Sequence, residues 1–145
     1  MINSNIMGTW GTGYFEDDSA LDFMNDIEQS NDPRRILAKA FDKAIKSDYL
    51  ESDEGTAVIV SAAYVDRQVN GTKFTPENKG QPFEIDTFPD RHPQENFIDL
   101  KAKAVSALAR ILGDNSEINE LWAENDEAYP EWREGIQQLI ARLSG

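Results

Sequence analysis

Apolar residues recur at helical spacing along most of this chain. After an N-terminal arm, Ala20, Leu21, Phe23, Met24 and Ile27 mark the face of a first helix. Asp17 or Asp18 stands where a carboxylate can accept the free N–H groups of its first turn. A second helix is predicted to start at Asp32 as cap, with Pro33 at the first helical position. Its face, Ile36, Leu37, Ala40, Phe41, Ala44 and Ile45, follows i, i+1, i+4, i+5, the strongest amphipathic signal in the chain. The run from Thr56 to Val65 reads two ways. Its β-branched residues suit a strand; its length and small residues suit a helix buried on most sides. The helix over 57–69 is the favoured reading, ending at Asn70-Gly71 where glycine takes the left-handed cap. Ala57, Ser61, Ala62 and Val65 would then approach a neighbouring helix closely.

Residues 71–94 hold Pro76, Pro82, Pro89 and Pro93 with Gly71 and Gly80, and read as a long loop. A fourth helix is expected from near Pro93, with Phe97, Leu100, Ala104, Ala107, Leu108, Ile111 and Leu112 on one face and Gly113 as its stop. A fifth follows Asp114, with Glu117 three residues on as in a capping box, and presents Ile118, Leu121 and Trp122. A sixth starts at Pro130 and carries Trp132, Ile136, Leu139, Ile140 and Leu143. The expectation is an all-α fold: residues 1–145 as a single helical domain, a bundle of about six helices, with residues 1–18 as arm and 71–94 as Pro-rich loop.

Charge narrows the partner. Asp and Glu number 27 against 14 Lys and Arg, a formal net charge of -13. Nucleic acid is bound through Lys and Arg that neutralise phosphates, so no nucleic-acid partner is expected, and an anionic membrane surface is equally disfavoured. A basic protein partner, a metal ion or simple solubility is compatible with such a field. The chain has no cysteine, which excludes disulfides, thiolate zinc sites and cysteine nucleophiles. It shows no apolar run of the ~20 residues that cross a membrane, and no signal-peptide pattern, so a cytoplasmic protein is expected.

The arm carries the most distinctive segment, Gly8-Thr9-Trp10-Gly11-Thr12-Gly13-Tyr14-Phe15-Glu16-Asp17-Asp18. Glycines at this density fix a tight backbone path, and the aromatics between them have to be buried. The arm is therefore expected to pack as a plug, with Trp10 and Phe15 against the first helix or the C-terminal tryptophans Trp122 and Trp132. Together with Ser19-Ala20-Leu21-Asp22-Phe23, the segment from Trp10 resembles the opening of a bacterial family, domain of unknown function 4259. That opening reads Trp-Gly-x-Gly-x-Phe, then acids, then Ala-x-Asp-aromatic. Glu120-Leu121-Trp122-Ala123-Glu124-Asn125, Trp132-Arg133 and Leu139-Ile140-Ala141-Arg142-Leu143 are similar to its C-terminal part. The resemblance implies a bacterial cytosolic protein with a helical fold. It implies no activity, and Trp10, Gly11, Gly13, Phe15, Trp122 and Trp132 enter as its structural motif.

Catalytic motifs are missing. Gly11-Thr12-Gly13 lacks the third glycine of a dinucleotide turn, and there is no phosphate-binding loop, nucleophile elbow or His-Glu-x-x-His. His92, the only histidine, reads as an N-cap or solvent-exposed loop residue. Asp18, Asp22 and Asp26 are spaced i, i+4, i+8 and line one helix face, with Glu16, Asp17 and Glu28 near. A hard cation is one way to relieve their repulsion. Solvation, or salt bridges to Arg34, Arg35, Arg133 or Arg142, is the plainer one, so no metal site and no cofactor are expected. The aromatics are expected in the core rather than around a ligand pocket. Two functions remain open. One is a non-enzymatic protein-binding module, of which a toxin-neutralising, immunity-like protein is a concrete form, with Asp18, Asp22 and Asp26 as its partner-binding face. The other is a hydrolase or transferase that uses carboxylates, with or without a metal. Acids converging in a pocket would favour the enzyme; acids spread over a convex face would favour the module.

Overall fold

The computed structural model describes residues 13–15, 17–74 and 85–145. Within these the chain forms α1 (Asp18–Gln29), α2 (Pro33–Lys46), α3 (Ser52–Asn70), α4 (Phe88–Arg91), α5 (Lys101–Ile111), α6 (Glu117–Ala123) and α7 (Tyr129–Ser144). Short 3-10 turns precede α4 and α5, at Ile85–Thr87 and Ile98–Leu100. No strand occurs among the described residues. One isolated parallel bridge joins Leu50 to Ser116, through Leu50 N–H to Asn115 O and Glu117 N–H to Leu50 O, both 2.8 Å. The all-α expectation stands.

The local signals act largely as their chemistry dictates. Asp17 caps α1, its Oδ1 accepting from Ala20 N–H at 2.7 Å. Asp32 caps α2 ahead of Pro33, and Gly71 ends α3 at φ 74°, the left-handed region that glycine enters without strain.

α3 is the centre of the fold. It packs against α1, α2, α5, α6 and α7, and every residue from Val58 to Asp66 is buried. A helix surrounded in this way has no polar face to show, which is why its sequence lacks amphipathic contrast and resembles a buried strand. Its small residues allow close neighbours. At Gly55, Ile118 of α6 approaches so far that a Cβ would lie 2.7 Å from Ile118 Cγ2.

Several expectations need correction. The described residues contain seven α-helices where about six were expected. The extra one, α4, lies within the segment read as a loop, because Phe88 has a core site to fill and Pro89 fits a first helical turn. The helix expected from Pro93 starts later, at Lys101; Phe97 and Leu100 are buried, but on the turn before it. α3 starts before residue 57, at Ser52, where Glu54 accepts the Glu51 N–H at 2.9 Å. Asp114 does not cap α6. Ser116 occupies the cap position, and Glu117 reaches across to accept the Ser52 N–H at 2.8 Å.

Candidate functional site

The acidic stripe lies where a partner can reach it. Asp18, Asp22 and Asp26 are all exposed along α1. None pairs with the cations the sequence offered. Arg34 binds Asp99 and the Asn96 carbonyl, Arg142 binds Asp66 at 2.7 Å, and Arg133 reaches the Tyr129 hydroxyl. Asp17, at the head of the stripe, is partly buried. Burial foremost holds its carboxyl above the ordinary 3.8; the Ala20 N–H pulls the other way, and the charges of Asp53 and Asp18 add to the rise. Among the described residues, no group of three or more His, Asp or Glu is placed to hold a metal ion.

Beside the stripe, α1 and α2 form a hairpin that leaves a groove of about 650 Å³ between them. Its floor is apolar: Phe23 from α1, Ile36 and Ala40 from α2, and Ala57 from α3. Asp26 and Gln29 line it from α1, Lys39 and Lys43 from α2, and Asp53 and Glu54 from α3. The apolar stripes of α1 and α2 are wider than the core can cover, so Phe23 and Ile36 remain only half-buried. Lys43 is held by Glu54 at 3.2 Å. The Glu51 N–H, first, and Lys43 keep the Glu54 carboxyl below its ordinary 4.5.

On its other face α1 carries a carboxylate buried in the protein. Glu28 has a side chain 2% exposed. Arg91 of α4 donates to it twice, Nε to Oε1 at 2.9 Å and Nη2 to Oε2 at 2.8 Å, and the Tyr64 hydroxyl donates to Oε2 at 3.0 Å. Burial, then the Glu28 charge, raises the Tyr64 phenol well above its ordinary value, so it stays a donor. His92 is not the exposed loop residue expected. It follows the last turn of α4, stacks on Phe88 at 4.7 Å, and brings Nε2 within 3.6 Å of Glu28 Oε1. A second buried acid, Asp66 of α3, is likewise saturated: Asn70 and Thr72 donate to Oδ1 at 2.8 and 2.9 Å, and Arg142 to Oδ2.

Glu28 carried a signal in the sequence. It falls at i+4 from Met24 and beside Ile27, on the buried face of α1, where an acid needs a partner. Its partners Arg91 and Tyr64 lie far along the chain, and no spacing rule links them.

The aromatic residues are core. Trp122 and Trp132 are buried and stack at 5.9 Å. Phe15 is fully buried, with Phe74 edge-on at 5.7 Å rather than a C-terminal tryptophan as its aromatic neighbour. The Tyr14 hydroxyl donates to the Gly135 carbonyl of α7 at 2.8 Å, and Gly13 lines a small space beside Tyr14. Trp10 and Gly11 lie outside the described residues. The space left between Tyr14, Trp122 and Trp132 is about 20 Å³, room for no more than a water.

Fold and site together define an all-α protein with an acidic helix face and an adjoining apolar groove. The chain belongs to the family described as Domain of unknown function (DUF4259), whose model matches residues 8–135. No curated protein and no solved structure matches it. No helix among the described residues is long and apolar enough to cross a membrane.

Proposed function

We propose that this is a non-enzymatic protein-binding module of a bacterial cytoplasm that recognises a basic protein through the acidic face of α1. Neutralisation of a basic toxin is one concrete form of that role. The observation that carries the reading is the exposed, unpaired row Asp18, Asp22 and Asp26, on a chain of net charge -13. Like charges at i, i+4 spacing cost the free helix some stability, and an incoming cationic surface turns that cost into attraction. The buried carboxylates support binding over catalysis. Glu28 and Asp66 spend their oxygens on arginine, hydroxyl and amide donors, whereas a general acid or base needs one oxygen free for substrate.

Association steered by opposite charges weakens steeply with salt, since exposed charges are screened over ~8–10 Å at moderate ionic strength. The protein immobilised on resin should retain a basic protein from its native lysate at low salt and release it at high salt. Reversing Asp22 and Asp26 to lysine should slow association with that purified protein about tenfold while the chain still folds to the same helical content by circular dichroism. Turnover of a small-molecule substrate, abolished by changing one carboxylate, would overturn the proposal in favour of the carboxylate hydrolase or transferase.

A further inference from the structure

We infer that the α1–α2 groove receives an amphipathic helix of the partner. Two bulky apolar side chains of that helix, one turn apart, enter the groove, and its Lys or Arg flank lies against α1. The inference rests on the basic-partner reading above and adds to it the surface and the shape of what binds.

The floor sets the apolar part. Phe23 and Ile36 belong to the hydrophobic stripes of their helices, yet both stay half-exposed across an open trough. Half-covered apolar surface between two helices is the geometry by which a third helix docks. The dimensions set the spacing. The groove runs from Phe23 of α1 to Ser30, the cap that follows it, and from Ile36 to Lys43 along α2. At 1.5 Å per residue each wall is roughly 10 Å, two helical turns. Side chains at i and i+3 or i+4 of a docked helix lie ~5–6 Å apart and fit that length.

The rim sets the charge. Asp26 stands on the α1 wall and Asp22 continues the row one turn further; both are exposed, and neither is engaged by a cation. On the facing wall Lys43 is already held by Glu54, which leaves Lys39 against the acids. A helix flanked by glutamates would meet repulsion along the whole of α1. A second copy of this chain carries the same net charge of -13, which opposes its approach.

The test uses the full chain and three fluorescein-labelled synthetic peptides with helix-favouring backbones. One has a leucine stripe at i, i+3, i+4 and i+7 with lysine flanks. The second has the same composition with the stripe scrambled. The third has the stripe with glutamate flanks. Fluorescence anisotropy should show the first binding at least about tenfold more tightly than either other peptide. Ala40→Arg places a long cation on the groove floor at a half-exposed helical site that tolerates arginine, and should weaken the first peptide about tenfold. Lys39→Glu, at an exposed position, should tighten it several-fold and serves even if Ala40→Arg unfolds.

Equal, salt-sensitive binding of striped and scrambled basic peptides, indifferent to both variants, would overturn the groove and leave the basic-partner reading standing. Preference for the glutamate-flanked peptide would overturn both. Concentration-dependent dimerisation abolished by Ala40→Arg would assign the groove to a second copy and overturn the inference.

Discussion

Gly55 offers a test in which two physical effects of opposite sign compete. In a helix, replacing glycine by alanine stabilises by up to about 1 kcal/mol through backbone entropy and propensity. Here the added Cβ would lie 2.7 Å from Ile118 Cγ2 and 3.3 Å from Ile118 Cβ. Those atoms sit next to the α6 backbone on a β-branched side chain with little χ1 freedom, so they cannot swing aside. Overpacking of this kind costs about 1–3 kcal/mol. Gly55→Ala should therefore be neutral to about 2 kcal/mol destabilising, against the direction that propensity alone gives. Ile118→Ala by itself should cost about 2–5 kcal/mol for the cavity it opens. In the double variant the new methyl occupies part of that cavity; the 2.7 Å clash with Cγ2 is gone and only the closer-than-usual 3.3 Å approach to the Cβ at position 118 is left. The two changes should then couple favourably by about 1–3 kcal/mol. Urea unfolding followed by far-UV circular dichroism, analysed by linear extrapolation, measures all four corners of the cycle. A Gly55→Ala protein stabilised by about 1 kcal/mol, with no coupling to position 118, would refute the close approach of α3 and α6.

Two further outcomes follow from the buried and capping acids. Arg91→Ala leaves the Glu28 carboxylate buried without its bidentate partner and should cost about 3 kcal/mol, the low end for a broken buried pair because Arg91 is itself 35% exposed; Arg91→Lys, which keeps the charge and loses the fork, should fall between in melting temperature. Glu54 has a folded-state pKa below its ordinary 4.5, so its charge stabilises the fold above that pH and ceases to as the pH falls through the lowered value. Glu54→Gln, which keeps an acceptor for the Glu51 N–H, should therefore be less stable than the wild type in urea melts at neutral pH, and the deficit should shrink as the pH falls through the lowered value; a deficit that does not change with pH would show that the charge is not the cause.

Caps and stripes were legible in the sequence because they are local. Asp17, Asp32 and Gly71 act within one turn of where they stand, and α1, α2 and α7 show contrasting faces. α3 was legible only as an ambiguity. Its boundaries depend on Glu54 and on a Glu117 that lies 65 residues from the Ser52 it contacts. α4 was missed because a single turn has no period to read; only Phe88, an aromatic among prolines, hinted at a core site. The candidate site divides the same way. The spacing of Asp18, Asp22 and Asp26 follows from helical geometry alone. The groove does not, because it arises where Phe23 and Ile36 exceed what the neighbouring helices cover, a property of the assembled packing. The clasp of Glu28 by Arg91 and Tyr64 joins three elements brought together only by folding.

The central position of α3 has a consequence for synthesis of the chain. From Thr56 to Val65 it is an uncharged run rich in β-branched residues, the composition that stacks into intermolecular sheets when left uncovered. α5 and α7, which cover it, lie later in the chain. Up to the end of α7 about 80 residues remain to be translated, on the order of 10 s at typical elongation rates. During that interval α1 and α2, already made, can cover part of the segment, and its flanks guard what they leave open. Asp53 and Glu54 precede it and Asp66 and Arg67 follow it, which is where charged gatekeepers interrupt stacking. Asp66 thus serves twice, as a gatekeeper on the ribosome and as the buried anchor for Arg142 once α7 arrives.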